Sequence, residues 1–292
     1  MSTASSVTQD LGAALSRPGS IRHRWEMPLV WLSAILTFLI LAFVVLALAG
    51  VIPEEVREAL ESEEGGDLKA IAVLAIGLPA FFYVGRFFMA AGVRANSVKV
   101  GPTQFPELHA RYLAVADRIG MTHLPALYVV NGNGVVNAYA FSCNRRYGYI
   151  VLHAEIAHLI DSAPEMVDFV MAHELGHHKL NHVSLWRLLI NVVPSVMFLP
   201  GKAAIRAQEY SADRLALCAC PLSVNSTSLL AVGPTMAKDV NPEAWLQQCH
   251  ADDRSWLIRL HNILADHAVL TKRYKALKDI EEHGLSRHGQ MF

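Results

Sequence analysis

The chain has 292 residues, enough for one or two domains with a sizeable core. Hydrophobic residues make up 53% and charged residues only 17%, with a mean hydropathy of +0.29, which points away from an ordinary soluble chain and toward a membrane. A net charge of −1 with no basic stripe interleaved with aromatics argues against a nucleic-acid partner, and four cysteines without a readable disulfide framework suit a reducing compartment.

Residues 1–27 are polar and read as an N-terminal tail, disordered over about the first twenty. Residues 28–50, PLVWLSAILTFLILAFVVLALAG, carry no charge, and at about 1.5 Å per residue they cross a hydrocarbon core of roughly 30 Å. A signal peptide is the alternative, since ALAG resembles a cleavage site, but the apolar run exceeds the usual length of about 7–15 residues. Residues 70–92 form a second candidate span, with Lys69 at one end and Arg86 placed to snorkel near the other. Arg17, Arg22 and Arg24 precede the first span, Arg94 and Lys99 follow the second, and the loop between them is acidic. By the positive-inside rule both basic flanks, and everything after residue 95, lie on the cytoplasmic side of a cell or inner membrane. The expected organisation is therefore tail, membrane anchor over 28–94 and a domain over 95–292.

That domain begins with an amphipathic helix in TQFPELHARYLAVADRIGM, apolar at Leu108, Tyr112, Leu113, Val115 and Ile119. Three β-type runs follow, ALYVV, GVVNAYAF and YGYIVLHA, separated by NGNG and CNRRYG, and the economical arrangement is a small antiparallel meander. A helix then starts near Ser162 or Pro164, with Ser-Ala-Pro-Glu offering an N-cap, and runs over about 165–182. Further helices are expected over KAAIRAQEYSADRLALCA and in 242–282, so the fold class is α+β and mainly helical.

The 165–182 helix contains VMAHELGHHKLNH, with four of the chain's 14 histidines in thirteen residues. On a helix His173 and His177 share one face at a Cβ spacing of about 5–6 Å, so both imidazoles can reach one Zn²⁺ at about 2.0–2.1 Å. Glu174 points about 100° away round the helix, where it can act as general base on the water that the ion activates. A third ligand is needed. The metzincin pattern fails, because Leu180 and Val183 stand where glycine and histidine belong, and His178 and His182 read as polar-face or supporting histidines. Downstream, in RAQEYSADRLA, Glu209 lies on a second helix with Asp213 one turn on. A carboxylate there completes a His₂Glu set while its neighbour fixes a ligand imidazole. The plain alternative is a solvated Glu/Asp face.

HELGH, then RAQEYSAD some thirty residues later, after NAYAF and two apolar stretches, resembles the HtpX-like branch of the zinc metalloprotease family that also contains the CAAX prenyl proteases. The resemblance covers roughly residues 95–280 and implies a zincin-like, mainly helical catalytic domain with a small sheet, one catalytic Zn²⁺ held by His173, His177 and Glu209, Glu174 as base and Asp213 orienting His173. It also implies that Asn137, in VNAYAF, binds substrate or steadies the oxyanion, with His267 and Arg273 matching a carboxy-terminal His followed six residues later by Arg; Ala268 departs from the proline common in the family. A hydrogen-bond donor at the oxyanion is typically worth a few kcal/mol.

Only 31 residues separate His177 from Glu209, too few for a helix to cross a bilayer and return, so SLWRLLINVVPSVMFLP packs in the domain or dips into the inner leaflet. The strand around Tyr149, Ile150, Val151 and Leu152 is expected to be a sheet edge that accepts an extended polypeptide substrate by main-chain pairing. The resemblance implies the role of an endopeptidase of unfolded or damaged membrane proteins, here expected to be held in the lipid bilayer and to act from its cytoplasmic side. A non-catalytic, zinc-stabilised membrane scaffold is the competing class; Glu174 and a fourth coordination position left open by three protein ligands speak against it.

Overall fold

The computed structural model describes residues 11–61, 66–197, 199–221, 223–265 and 267–291. Helix α1 (Glu26–Leu48) is built inside out relative to a soluble amphipathic helix. Its packed face carries Glu26, Val30, Ser33, Thr37 and Val44, all buried, at helical spacing, whereas Trp31, Ile35, Phe38 and Leu39 on other faces are 54–70% exposed. Among the described residues, Glu26–Ala47 is the one helix long and apolar enough to cross a membrane. The second apolar run lies in α2 (Gly66–Asn96), a helix of 31 residues. From Gly77 onward it presents apolar side chains such as Phe81 and Phe88 outward, but among the described residues it does not pass the same test of length and apolarity, so the second span is not established. Arg86 does not snorkel outward; its guanidinium donates to the Val183 carbonyl at 2.8 Å.

The expected tail also needs correction. The first ten residues lie outside the described residues, but 11–14 and Pro18–Ile21 are helical, and Leu11, Ala14 and Ile21 are buried in the main core. A polar segment can still dock when a few apolar side chains find a core and its polar groups find partners. Arg22 donates to the carbonyl of Leu180, and the His23 amide donates to Ser211 Oγ.

After α2 come β1 (Val98–Lys99), helix α3 (Pro106–Ile119), and strands β2 (Ala126–Val130), β3 (Ala138–Ser142) and β4 (Gly148–His153). Four of the five apolar positions expected to face inward on α3 do so, and Leu113 is exposed. The sheet order is β1-β2-β4-β3, with β4 parallel to β2, while β1/β2 and β3/β4 are antiparallel pairs. The sheet is thus mixed and not an antiparallel meander. The unbroken apolar run Tyr149–Leu152 is buried on both faces, as a central strand requires, so β4 inserts between β2 and β3.

Helix α4 (Pro164–Lys179) follows, buried continuously from Met166 to Gly176, with Pro164 in its first turn. Its N-cap position is Ala163, and no side chain caps it, so Ser162 does not play the expected role. Helix α5 (Leu185–Met197) holds the third apolar stretch and packs against α1 and α6 (Leu199–Ala219) as part of the domain. Helices α7 (Pro242–Asp252), α8 (Trp256–Leu264) and α9 (Leu270–His283) close the fold, α7 and α8 being capped by Asn241 and Ser255. All four cysteines are buried free thiols.

Candidate metal centre

Helices α4 and α6 cross at two small residues. A Cβ on Gly176 would come within 3.4 Å of the Ala212 backbone, so glycine lets α6 lie close against the HELGH turn. That approach carries Glu209 and Asp213 to the two histidines. His173 Nε2 and His177 Nε2 are 3.1 Å apart, Glu209 Oε2 lies 3.6 Å from the former, and Glu209 Oε1 lies 3.5 Å from the latter. Three donors at about 2.0–2.1 Å from a tetrahedral ion stand about 3.3 Å from one another. The three side chains therefore fit a single divalent ion, with all ligand atoms within 4.8 Å.

The surroundings favour a cation here. Burial alone would lower the pKa of His173, but the Asp213 and Glu209 carboxylates raise it to about 10, so positive charge between them is stabilised. His177, with burial prevailing over the attraction of Glu209, is held well below its ordinary value and is the neutral imidazole that a metal needs. Glu209 resists burial through His173, His267 and Arg273 and stays ionised. Asp213 Oδ1 lies 2.9 Å from His173 Nδ1, and Arg273 grips the same carboxylate through Nε at 2.7 Å and Nη2 at 2.6 Å. Arg273 Nη1 also reaches Glu209 Oε2 at 3.3 Å. On the sequence Arg273 was only a spacing from His267; in the fold it clamps both acids.

Glu174 lines the same cleft, a cavity of about 380 Å³, and burial raises its carboxyl to about 7. Asn137 and His267 stand on the cleft wall, His267 73% exposed with Nδ1 3.5 Å from Glu209 Oε1. His178 sits outside the cluster. Its Nε2 meets the carbonyl of Tyr149 at 3.1 Å, and its ring covers Gly148, tying α4 to the sheet. His182 Nδ1 lies 3.0 Å from His177 Nδ1, and Glu26, a residue the sequence reading passed over, lies behind it. The one signal for Glu26 was an acid at the head of an apolar run.

The proposed substrate strand is misplaced. Tyr149, Ile150, Val151 and Leu152 are paired on both sides, to β2 and β3, so β4 offers no free edge. Among the described residues the open edge beside the cleft is β3, whose Ala138, Tyr139 and Ala140 line it. The amides of His153 and Cys143 bond across to Asn137 and Tyr147, so residues 137, 139, 141 and 143 face β4. The alternation turns the N–H and C=O groups of Ala138, Ala140 and Ser142 outward.

Residues 102–205 match peptidase family M48, a stretch that includes α3, strands β2 to β4 and both histidines and stops just short of Glu209. Plastoglobule-localized metallopeptidase 48, a chloroplastic protein of Arabidopsis thaliana, is 29% identical over 188 residues, 56% of this chain and 53% of the relative. The chain thus spans about half the length of that relative, and no solved structure matches it. The chain is thus similar to peptidase family M48 over residues 102–205, and the fold brings together His173, His177 and Glu209, which could hold a metal ion, with Asp213 beside His173.

Proposed function

We propose that this chain is a membrane-anchored, zinc-dependent endopeptidase of the HtpX-like type that cleaves unfolded or damaged membrane proteins from the cytoplasmic side. The observation that carries the reading is the convergence of His173, His177 and Glu209 in one cleft with Glu174, beside an unpaired strand edge. Zinc, when bound, supplies a Lewis acid for the scissile carbonyl and brings the pKa of water toward about 7. Glu174, its carboxyl raised to about 7 by burial, is placed in the cleft where it would take a proton from the attacking water and return it to the leaving amine. His267, whose pKa Glu209 raises, and Asn137 offer donors to the carbonyl oxygen as negative charge develops there. An extended polypeptide adds to β3 through the outward groups of Ala138, Ala140 and Ser142, which recognises backbone and tolerates many sequences.

The apolar outer face of α1 supports the anchor, and the basic residues flanking the two apolar runs support the cytoplasmic placement. Glu174→Gln is expected to keep its zinc and lose cleavage of a model membrane substrate by a factor of about 10² to 10⁴. Cleavage at the wild-type rate would show that the base is misassigned.

A further inference from the structure

Each ligand histidine has its Nε2 turned to the metal position, so each Nδ1 must carry the proton and needs an acceptor. For His173 the acceptor in reach is Asp213 Oδ1, 2.9 Å from Nδ1 although not aligned straight with it, on a carboxylate clamped by Arg273. For His177 it is His182 Nδ1, at 3.0 Å. An imidazole that accepts at Nδ1 carries its own proton on Nε2, and His182 Nε2 lies 3.2 Å from Glu26 Oε1, close enough to pair although not aimed straight at the oxygen. Glu26 is in turn held by Arg22, by Arg187 Nη1 at 2.8 Å and by the Ser211 hydroxyl at 2.6 Å, and it is fully buried. Both ligands are thus supported by an arginine-clamped carboxylate, directly for His173 and through the His182 ring for His177, and the second support begins on the first apolar helix.

The local fold aims His182. Past α4, Asn181 takes a left-handed conformation at φ 59, the His182 amide bonds to the carbonyl of His177 at 2.8 Å and the Asn181 amide to that of His178 at 3.1 Å. This is a Schellman turn, and it folds the His182 ring back against His177. Glu26 occupies the first turn of α1, where the helix N-terminus favours negative charge.

We infer that His182 and Glu26 are positioning residues for the metal ligand His177, so that the first apolar helix, besides anchoring the chain, completes the metal centre. The inference rests on the metal-centre reading above. It makes zinc affinity depend on the Glu26 carboxylate that α1 supplies, a dependence that activity alone would not reveal.

The test uses the full chain in detergent, with zinc affinity read by competition with a chromophoric chelator. His182→Phe, which removes the acceptor, and Glu26→Ala are each expected to weaken zinc binding about 10- to 100-fold. His182→Gln, which can accept from His177 and donate to Glu26, is expected to restore most of it. Thr37→Val, which loses the α1 contact to the Ile190 carbonyl without touching this chain of groups, is expected to change nothing. Wild-type affinity in His182→Phe, or an equal loss in Thr37→Val, would overturn the inference. Should the variants not fold, ¹⁵N-imidazole shifts of the zinc-loaded wild type decide: His182 protonated on Nε2 alone supports it, and protonated on Nδ1 overturns it. Retention of zinc by His177→Ala would instead overturn the metal-centre reading itself, and this inference with it.

Discussion

His173 and His177 differ by one helical turn, yet their surroundings push them in opposite directions. Two carboxylates draw charge onto His173, whereas burial keeps His177 neutral. The Asp213 carboxylate is the hub of the first environment, touching His173 and held twice by Arg273. Asp213→Asn keeps the shape and removes the charge, so zinc affinity should fall about 10- to 100-fold in a chelator competition. Asp213→Ala also breaks a buried ion pair and leaves the Arg273 guanidinium with Glu209 alone, and should cost about 3–5 kcal/mol in denaturant unfolding; a loss below about 1 kcal/mol would show that the pair is not buried as described. The grouping of His173, His177 and Glu174 was legible from sequence because helical spacing alone places them within about one turn. Glu26 was not, because nothing local connects residue 26 to residue 182, and only the packing of α1 against α5 and α6 brings them together.

Elements were legible where their signal is local. Helices α3, α4 and α6 follow from periodicity and a first-turn proline, and the strands from short β-branched and aromatic runs. Strand order was not, because alternation within a run does not state its neighbours; the one clue was the unbroken apolar stretch of β4. The error matters functionally, since it moves the expected substrate edge from β4 to β3. Ala140→Pro removes an outward N–H from an edge strand while sparing the ladder to β4, a placement proline tolerates. KM for a polypeptide substrate should rise about tenfold or more with zinc affinity unchanged. An unchanged KM would place the substrate elsewhere.

At the scale of the whole molecule, the two ends of the described chain meet on α6. Arg214 of that helix is buried and donates to carbonyls of Ile21, Leu285 and Arg287, while the His23 and His288 rings stand 5.4 Å apart, edge to face. Burial, then the neighbouring Arg214 and each other's charge in the case of His23, lowers His23 to about 3 and His288 to about 4. An unfolded histidine takes its proton near pH 6.5, so between that value and about 4 the unfolded chain binds protons that the native one refuses. Stability should therefore fall with pH through this window, less steeply in His288→Gln; a melting temperature flat from pH 7 to 4.5 would contradict the placement of these rings. The most direct measurement of the central claim is the zinc bound per chain in the purified wild type and in Glu209→Ala. One ion in the wild type, lost in the variant, is the result predicted, and full retention of the ion after loss of that carboxylate would contradict it.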